Sequence, residues 1–366
     1  MPKSPENGSE TDEKSTSEAF PADNGHEGGA SDHVVILPCH VAGSGTLDRL
    51  ANTARDYAKA SKAKNTQTAY LSDWKHFSRW CRIKGTDPLP PSPELIGLYL
   101  ADMASDRAKP LSVATIERRL AGIGWGYKQR GLTLDRSDRH ITAVLDGIRR
   151  QHAQPPKQKE AIMPEDVLAM VDTLGFDLRG LRDRAIVLLG YAGGLRRSEI
   201  VSVDRGQDET DDSGGWVEIY DDGCLLYLNA KNGWRTVEIG RGSSDQSCPV
   251  HALEKWLHFA RIEFGPVFVR TSRDGKRALP SRLNDKHVAR LIKRTVLAAG
   301  VRPDLPEKDR LSLFSGHSLR SGLASFAEVD ERYVQKQLGH ASAEMTRRYQ
   351  RRRDRFRVNL TKASGL

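Results

Sequence analysis

Cysteine is scarce in this chain, with four in 366 residues, and Cys39, Cys81, Cys224 and Cys248 stand more than 20 residues apart. That spacing fits neither a zinc ribbon nor a disulfide-dense small domain, so all four read as reduced, structural thiols. Apolar runs are short, and none approaches the roughly 18 residues that span a bilayer. The beginning is acidic and rich in Ser and Gly, unlike a secretory signal. A cytoplasmic protein with no membrane partner is expected. The sequence also lacks a GxxxxGK phosphate loop, an HExxH helix and any Cys/His cluster at ligand spacing, so neither ATP, zinc nor another cofactor is implied. Asp211-Asp212 and Asp221-Asp222 sit beside glycine in turn-like sequence, the setting of solvated loop carboxylates rather than of a two-metal centre.

Positive charge is plentiful. The net charge is +9, while the first 33 residues hold eight Asp/Glu against two Lys, a local −6, so the remainder carries +15. A basic body of this kind suits a polyanion, and double-stranded DNA is the expected partner. The length exceeds that of a usual single domain, which favours two domains and a tail.

Residues 1–45 have little to bury beyond Val34-Val35-Ile36-Leu37 and read as a disordered acidic segment. Residues 46–150 carry helical periodicity. The spacing of Tyr70, Trp74, Phe77 and Cys81 makes one apolar face after Asn65, an N-cap candidate. Ser92-Pro93-Glu94 starts another helix with Leu95, Leu98 and Tyr99 inward, and Ser112 starts a third that ends at Gly131. A bundle of four or five short helices is predicted. Residues 151–159 (QHAQPPKQK) have the composition of an exposed linker.

Residues 160–366 open with helices near 164–174 and 181–192. Three strands follow, at 217–220, 224–229 and 234–239, with Asn232-Gly233 as a type I′ turn. Helices return near 249–264, 285–299, 318–327, 331–338 and 343–351. The expected fold class is mainly α: a helical domain, then a mixed α+β domain with a small antiparallel sheet.

The chemistry-bearing residues of this second domain are cations, imidazoles and one late tyrosine. Gly316-His317-Ser318-Leu319-Arg320 places His317 and Arg320 three apart at a predicted helix start, where both can reach one phosphate. The pattern alone is weak, because His76/Arg79, His258/Arg261 and His287/Arg290 repeat it inside helical stretches, where a solvated face is the commoner outcome. Gln337-Leu338-Gly339-His340 puts His340 in a loop after a helix cap, and Tyr349 falls on the next helix. Alone, Tyr349 reads as a packing residue. Gly193-Gly194-Leu195-Arg196-Arg197-Ser198-Glu199 brings Arg196 out of a glycine break, which suits either a helix cap or close backbone approach to a ligand. Lys231 occupies a hairpin tip, where solvent is the usual neighbour.

Taken in order, GLRRSE, a hairpin lysine, GHSLR, LGH and a tyrosine nine residues beyond that histidine resemble the tyrosine recombinase (phage integrase) family, with SGHSxR closest to Cre-type members. The resemblance runs from about residue 47 to the end. It implies Arg196 and Arg320 as phosphate clamps, Glu199 as the prop of Arg196, Lys231 as general acid, His317 and His340 as supporting donors, and Tyr349 as nucleophile. It also implies a core-binding domain at 46–150, a catalytic domain at 160–366, and four protomers on two DNA sites. Two positions depart from common patterns: Ser321 stands where many integrases have His, and His340 where Cre-type enzymes have Trp. Arg282, Lys286, Arg290, Lys293 and Arg294 form a basic run on a predicted helix suited to a groove or phosphate track. The basic tail, Arg351 to Arg353 and Arg355 with Phe356, Val358 and Leu360, is the candidate contact with a neighbouring protomer. A DNA-binding protein without chemistry and a type IB topoisomerase are the competing readings.

Overall fold

A computed structural model describes residues 46–60, 64–105, 111–155, 158–207, 210, 212–230, 233–327, 329–353, 361 and 364. The acidic segment 1–45, Lys231 and the tail residues 354–360 lie outside the described residues. The chain divides into two compact units, Met1–Gln154 and Pro155–Leu366.

In the first unit the described elements are α1 (Thr46–Ala60), α2 (Lys64–Ile83), α3 (Pro93–Ser105), α4 (Val113–Lys128) and α5 (Arg139–His152). Trp74, Phe77, Trp80 and Cys81 on α2 are buried against Ile96, Tyr99 and Leu100 of α3 and Ile116, Ile123 and Tyr127 of α4. Each large apolar side chain so covered contributes roughly 1.5–3 kcal/mol. α2 begins at Lys64, so Asn65 lies within its first turn rather than capping it. Ser112 does cap α4, accepting from the Thr115 amide. The inward stripe of α3 runs through Ile96, Tyr99 and Leu100, which leaves Leu98 on the outer side at 64% exposure instead of in the core.

The second unit contains α6 (Pro164–Asp172), α7 (Leu178–Ala192), α8 (Arg197–Ser202), β1 (Val203–Asp204), β2 (Gly215–Ile219), β3 (Gly223–Ala230) and β4 (Gly233–Gly240). There follow α9 (Pro249–Ala260), β5 (Val269–Thr271), β6 (Ala278–Arg282), α10 (Asp285–Ala298), α11 (Glu307–Leu313), α12 (His317–Phe326), α13 (Glu331–Leu338) and α14 (Ala343–Arg353). The main sheet has the order β1-β2-β3-β4. β2, β3 and β4 are antiparallel as expected, but the two-residue β1 joins parallel to β2, so the sheet is mixed. The Gly214 amide donates to the Ser202 carbonyl at 2.9 Å where that pairing begins. β5 and β6 form a separate hairpin ending at Arg282, which therefore is not a helical residue. One face of the main sheet (Leu226, Leu228, Val237, Ile239) joins α7, α9 and α10 in a single core centred on fully buried residues such as Ile186, Leu253, Trp256 and Ile292. Cys81, Cys224 and Cys248 are buried free thiols. Burial pushes the Cys224 thiol up to about 12, so it stays protonated and inert.

Candidate active site

The site is assembled where α7 ends, α12 begins and α13 gives way to α14. α7 stops at Ala192, and Gly194 takes a left-handed φ of 56°, a conformation costly for a side chain with a Cβ. The turn delivers Leu195 into the core and leaves Arg196 at the mouth of α8. Glu199, one turn into α8, accepts from the Arg196 amide at 2.7 Å and from its Nη1 at 2.6 Å. Both backbone and side chain of Arg196 are thereby held by one carboxylate, a charge-assisted arrangement.

Glu199 has a second cation. Arg235 of β4 donates to it at 2.9 Å and, through Nη1, to the carbonyl of Gln337 at the end of α13. Burial favours protonation of Glu199, yet Arg235 and Arg196 outweigh it and hold the carboxyl below its ordinary range. Arg235 packs its stem against Gly339, where a Cβ would lie 2.7 Å from Arg235 Cδ. Gly339 also has φ of 60° as the cap of α13, which turns the chain so that His340 leaves the helix into the site.

Arg320 is 1% exposed. Its Nη1 donates to the Gly194 carbonyl at 2.6 Å and its Nη2 to the Leu338 carbonyl, so it ties the two left-handed turns together from α12. Burial, then the neighbouring Arg196, depress its pKa to about 10, still charged at neutral pH.

Tyr349 on α14 meets both histidines. Its hydroxyl lies 2.8 Å from Nε2 of His317, and its ring stacks on His340 at 5.7 Å with planes 9° apart. His340 Nδ1 lies 2.9 Å from the hydroxyl of the buried Thr346. Burial first, then Arg320 and Arg196, lower the His340 pKa to about 4. His317 is exposed to solvent, but desolvation by the surrounding protein, then Arg320 and Arg196, hold its ring below the ordinary imidazole value too. Both rings are therefore neutral at pH 7, and each retains one N–H donor and one acceptor nitrogen.

Thus Arg196, His317, Arg320, His340 and Tyr349 come together in the second unit. Lys231 is flanked by the Ala230–Gly233 pair that closes the β3–β4 hairpin but lies outside the described residues. Arg235 is the member that sequence reasoning missed. Its signal was available: positions 235, 237 and 239 of β4 share a face, and an arginine in register with Val237 and Ile239 needs a partner indoors. Of the basic run, Arg282 turns inward to Asp204 at 2.7 Å and Arg294 pairs with Asp183 at 2.8 Å, which leaves Lys286, Arg290 and Lys293 for other uses.

Two arginines and two imidazoles thus stand beside one tyrosine hydroxyl, a set of donors able to hold a phosphate against it. Residues 160–355 match the model of the phage integrase family. Over 328 residues the chain is 32% identical to an integrase/recombinase XerD homologue of Selenomonas ruminantium, covering 85% of this chain and 89% of the relative. A tyrosine recombinase XerC of Ralstonia pickettii is 32% identical over 68% of this chain and 72% of its own. In fold the chain is similar to XerH site-specific recombinase in a post-cleavage complex with palindromic difH substrate (TM-score 0.50, 17% identity, 89% and 85% coverage). It is equally similar to a lambda integrase dimer bound to a COC′ core site (TM-score 0.50, 17% identity, 83% and 94% coverage). The protein belongs to the phage integrase family and is a tyrosine recombinase.

Proposed function

We propose that this enzyme performs site-specific recombination by cutting and rejoining DNA strands through a covalent bond between Tyr349 and a backbone phosphate. The observation that carries the reading is the Tyr349 hydroxyl, 2.8 Å from a neutral His317 and beside the buried Arg320. Attack by a phenol on a phosphodiester concentrates negative charge on the non-bridging oxygens. Arg196 and Arg320 meet that charge, and removing one such donor costs on the order of 10²–10³ in rate. The two guanidiniums are positioned without rearrangement, one by Glu199 and the other by two backbone carbonyls.

A free tyrosine is a poor nucleophile at neutral pH and needs a base or nearby cations. His317 accepts the Tyr349 proton in this geometry, a role beyond the supporting donor that the family pattern implies. If Thr346 donates to Nδ1 of His340, the Nε2–H of His340 is free for a phosphate oxygen. Lys231 serves as general acid for the departing 5′ oxygen, from the connection that follows the Ala230–Gly233 pair of β3 and β4. The phosphotyrosyl ester keeps the energy of the broken bond, so attack by another 5′-hydroxyl rejoins the strand without ATP or a cofactor. Double-stranded DNA is the substrate, the first unit is its core-binding clamp, and four protomers act on two sites in the cytoplasm.

Covalent trapping tests this. The protein and its Tyr349→Phe variant are incubated in EDTA with labelled DNA that flanks its own gene and then resolved on a denaturing gel. An adduct with the parent alone establishes the chemistry. Binding by both proteins with no adduct from either returns the reading of a DNA-binding protein without chemistry, and relaxation of supercoils without a defined site returns the topoisomerase one.

A further inference from the structure

α14 reads AEMTRRYQRRR, and its one buried side chain among the described residues is not an aliphatic one but Thr346, fully enclosed three residues before Tyr349. A hydroxyl taken out of water costs free energy unless it is bonded. That of Thr346 stands 2.9 Å from Nδ1 of His340, and neither atom has another hydrogen-bond partner among the described residues.

A neutral imidazole carries one N–H, so this contact has two forms. In the first, the Thr346 hydroxyl donates to Nδ1 and the ring proton sits on Nε2. In the second, Nδ1–H donates to Oγ1, and the hydroxyl hydrogen must find an acceptor of its own. A helical threonine ordinarily supplies one by turning back onto a carbonyl three or four residues earlier. Thr295 of α10 does so, onto Leu291 at 3.0 Å and Ile292 at 3.3 Å. Thr346 makes no such bond among the described residues, so the second form would bury an unsatisfied hydroxyl at its full desolvation cost, and the first leaves nothing unpaired.

The opposite nitrogen of His340, Nε2, has no partner among the described residues and is not enclosed. An N–H there faces no competitor within the protein, and a phosphate drawn in by Arg196 and Arg320, both of which act on this ring, would find it beside them. At His317 the bonding is reversed. Its Nε2 lies 2.8 Å from the Tyr349 hydroxyl, and taking that proton requires a bare Nε2, hence a ring proton on Nδ1.

We propose that Thr346 is a positioning residue that fixes His340 as its Nε2–H tautomer, opposite to that of His317, so that one ring presents a donor to the phosphate while the other receives the tyrosine proton. The role in the reaction rests on the DNA-cleaving reading above, whereas the tautomer itself does not.

The test records nitrogen-resolved NMR spectra of the full chain carrying isotopically labelled histidine, at neutral pH, with His317→Gln and His340→Gln to assign the two rings. At His340 the parent should show a protonated Nε2 and a bare, hydrogen-bonded Nδ1. Tyr349→Phe should leave that pattern in place, because the stacked ring does not choose the tautomer. Thr346→Val keeps the shape without the hydroxyl. It should lose the bonded Nδ1 signature, gain an Nδ1–H population and slow adduct formation by about 10–100-fold, by analogy with the loss of an outer partner that orients a ligating histidine. Thr346→Ser should restore both the spectrum and the rate. A protonated Nδ1 in the parent overturns the proposal without any variant. So does a folded Thr346→Val protein with the parental ring pattern, or one whose pattern changes while its adduct rate does not. If the ring responds as expected but the parent itself forms no adduct, the tautomer assignment stands and the cleavage reading fails.

Discussion

Acidification should destabilise this enzyme through His340 in a way that can be isolated. The ring is 7% exposed, stacked on Tyr349 and surrounded by Arg320, Arg196 and Arg235, and its pKa lies near 4 against an ordinary 6.5. Between those values the unfolded chain binds a proton that the folded one refuses, so stability is complete above the unfolded pKa and falls as the pH drops toward the folded one. One pKa unit is about 1.4 kcal/mol, so the full window is worth on the order of 3 kcal/mol, and a shift from about pH 7.5 to about pH 5 removes about 2 kcal/mol of it. The assay is urea unfolding of the parent and of His340→Gln at both pH values, following the transition of the second unit. Subtraction cancels every carboxylate that the two proteins share. The parent should lose about 2 kcal/mol more than the variant. Equal losses, or an NMR titration of the ring near its ordinary value, would refute the argument that burial and the neighbouring guanidiniums keep His340 neutral.

Three further outcomes follow from the same contacts. Glu199→Gln removes the charge that holds both Arg196 and Arg235. Adduct formation should fall by about 10², as for a misplaced oxyanion donor, with duplex affinity nearly unchanged. Arg235→Met leaves Glu199 with Arg196 alone and frees the Gln337 carbonyl. Stability in urea should drop by about 1–3 kcal/mol, and Arg235→Lys should not rescue it because the bridge needs a planar fork. In the first unit, Gly126→Ala would place a Cβ 2.1 Å from the Trp74 ring, and the melting transition of that unit should move down by the equivalent of about 1–3 kcal/mol, with adduct chemistry on bound DNA spared.

The ordered motifs around Arg196, His317 and His340 were legible because each lies at a chain break that glycine marks, with Gly194, Gly316 and Gly339 one or two residues before it, and Arg320 and Tyr349 lie on the helices that follow. Helices with a clear stripe were legible for the same local reason, as with Glu331–Leu338 and its Gly339 cap. What escaped was decided by distant partners. β1 has only two residues and exists because Gly215 is presented to Val203. Arg282 looked helical next to Lys286, but Asp204, 78 residues upstream, claims it and ends β6. Leu98 looked inward by composition, yet the packing of α3 selects Ile96, Tyr99 and Leu100. The inward face of Arg235 was readable from β4, but its partners were not, because Glu199 is 36 residues away and the carbonyl acceptor 102.

The candidate active site is built with a surplus of charge, and that surplus explains its architecture. Arg196, Arg235 and Arg320 cluster around one carboxylate, Glu199, and the other groups that act on Arg320 include no further acid apart from the Tyr349 phenol. Arg196 and Arg235 each depress Arg320, so the free protein stores a repulsion that a phosphodiester relieves. Such a cluster survives folding only if its members cannot swing apart. Arg320 is pinned by two carbonyls, Arg235 by a carboxylate and a carbonyl, and Arg196 by Glu199 at two points. The same pins that prevent relaxation in the free protein spare the site any reorganisation when negative charge develops on the phosphate, which is the condition under which fixed donors accelerate a reaction most. Stability surrendered in the ligand-free state is therefore the source of the electrostatic stabilisation available to the reaction, and the neutral histidines keep that surplus from growing large enough to unfold the site.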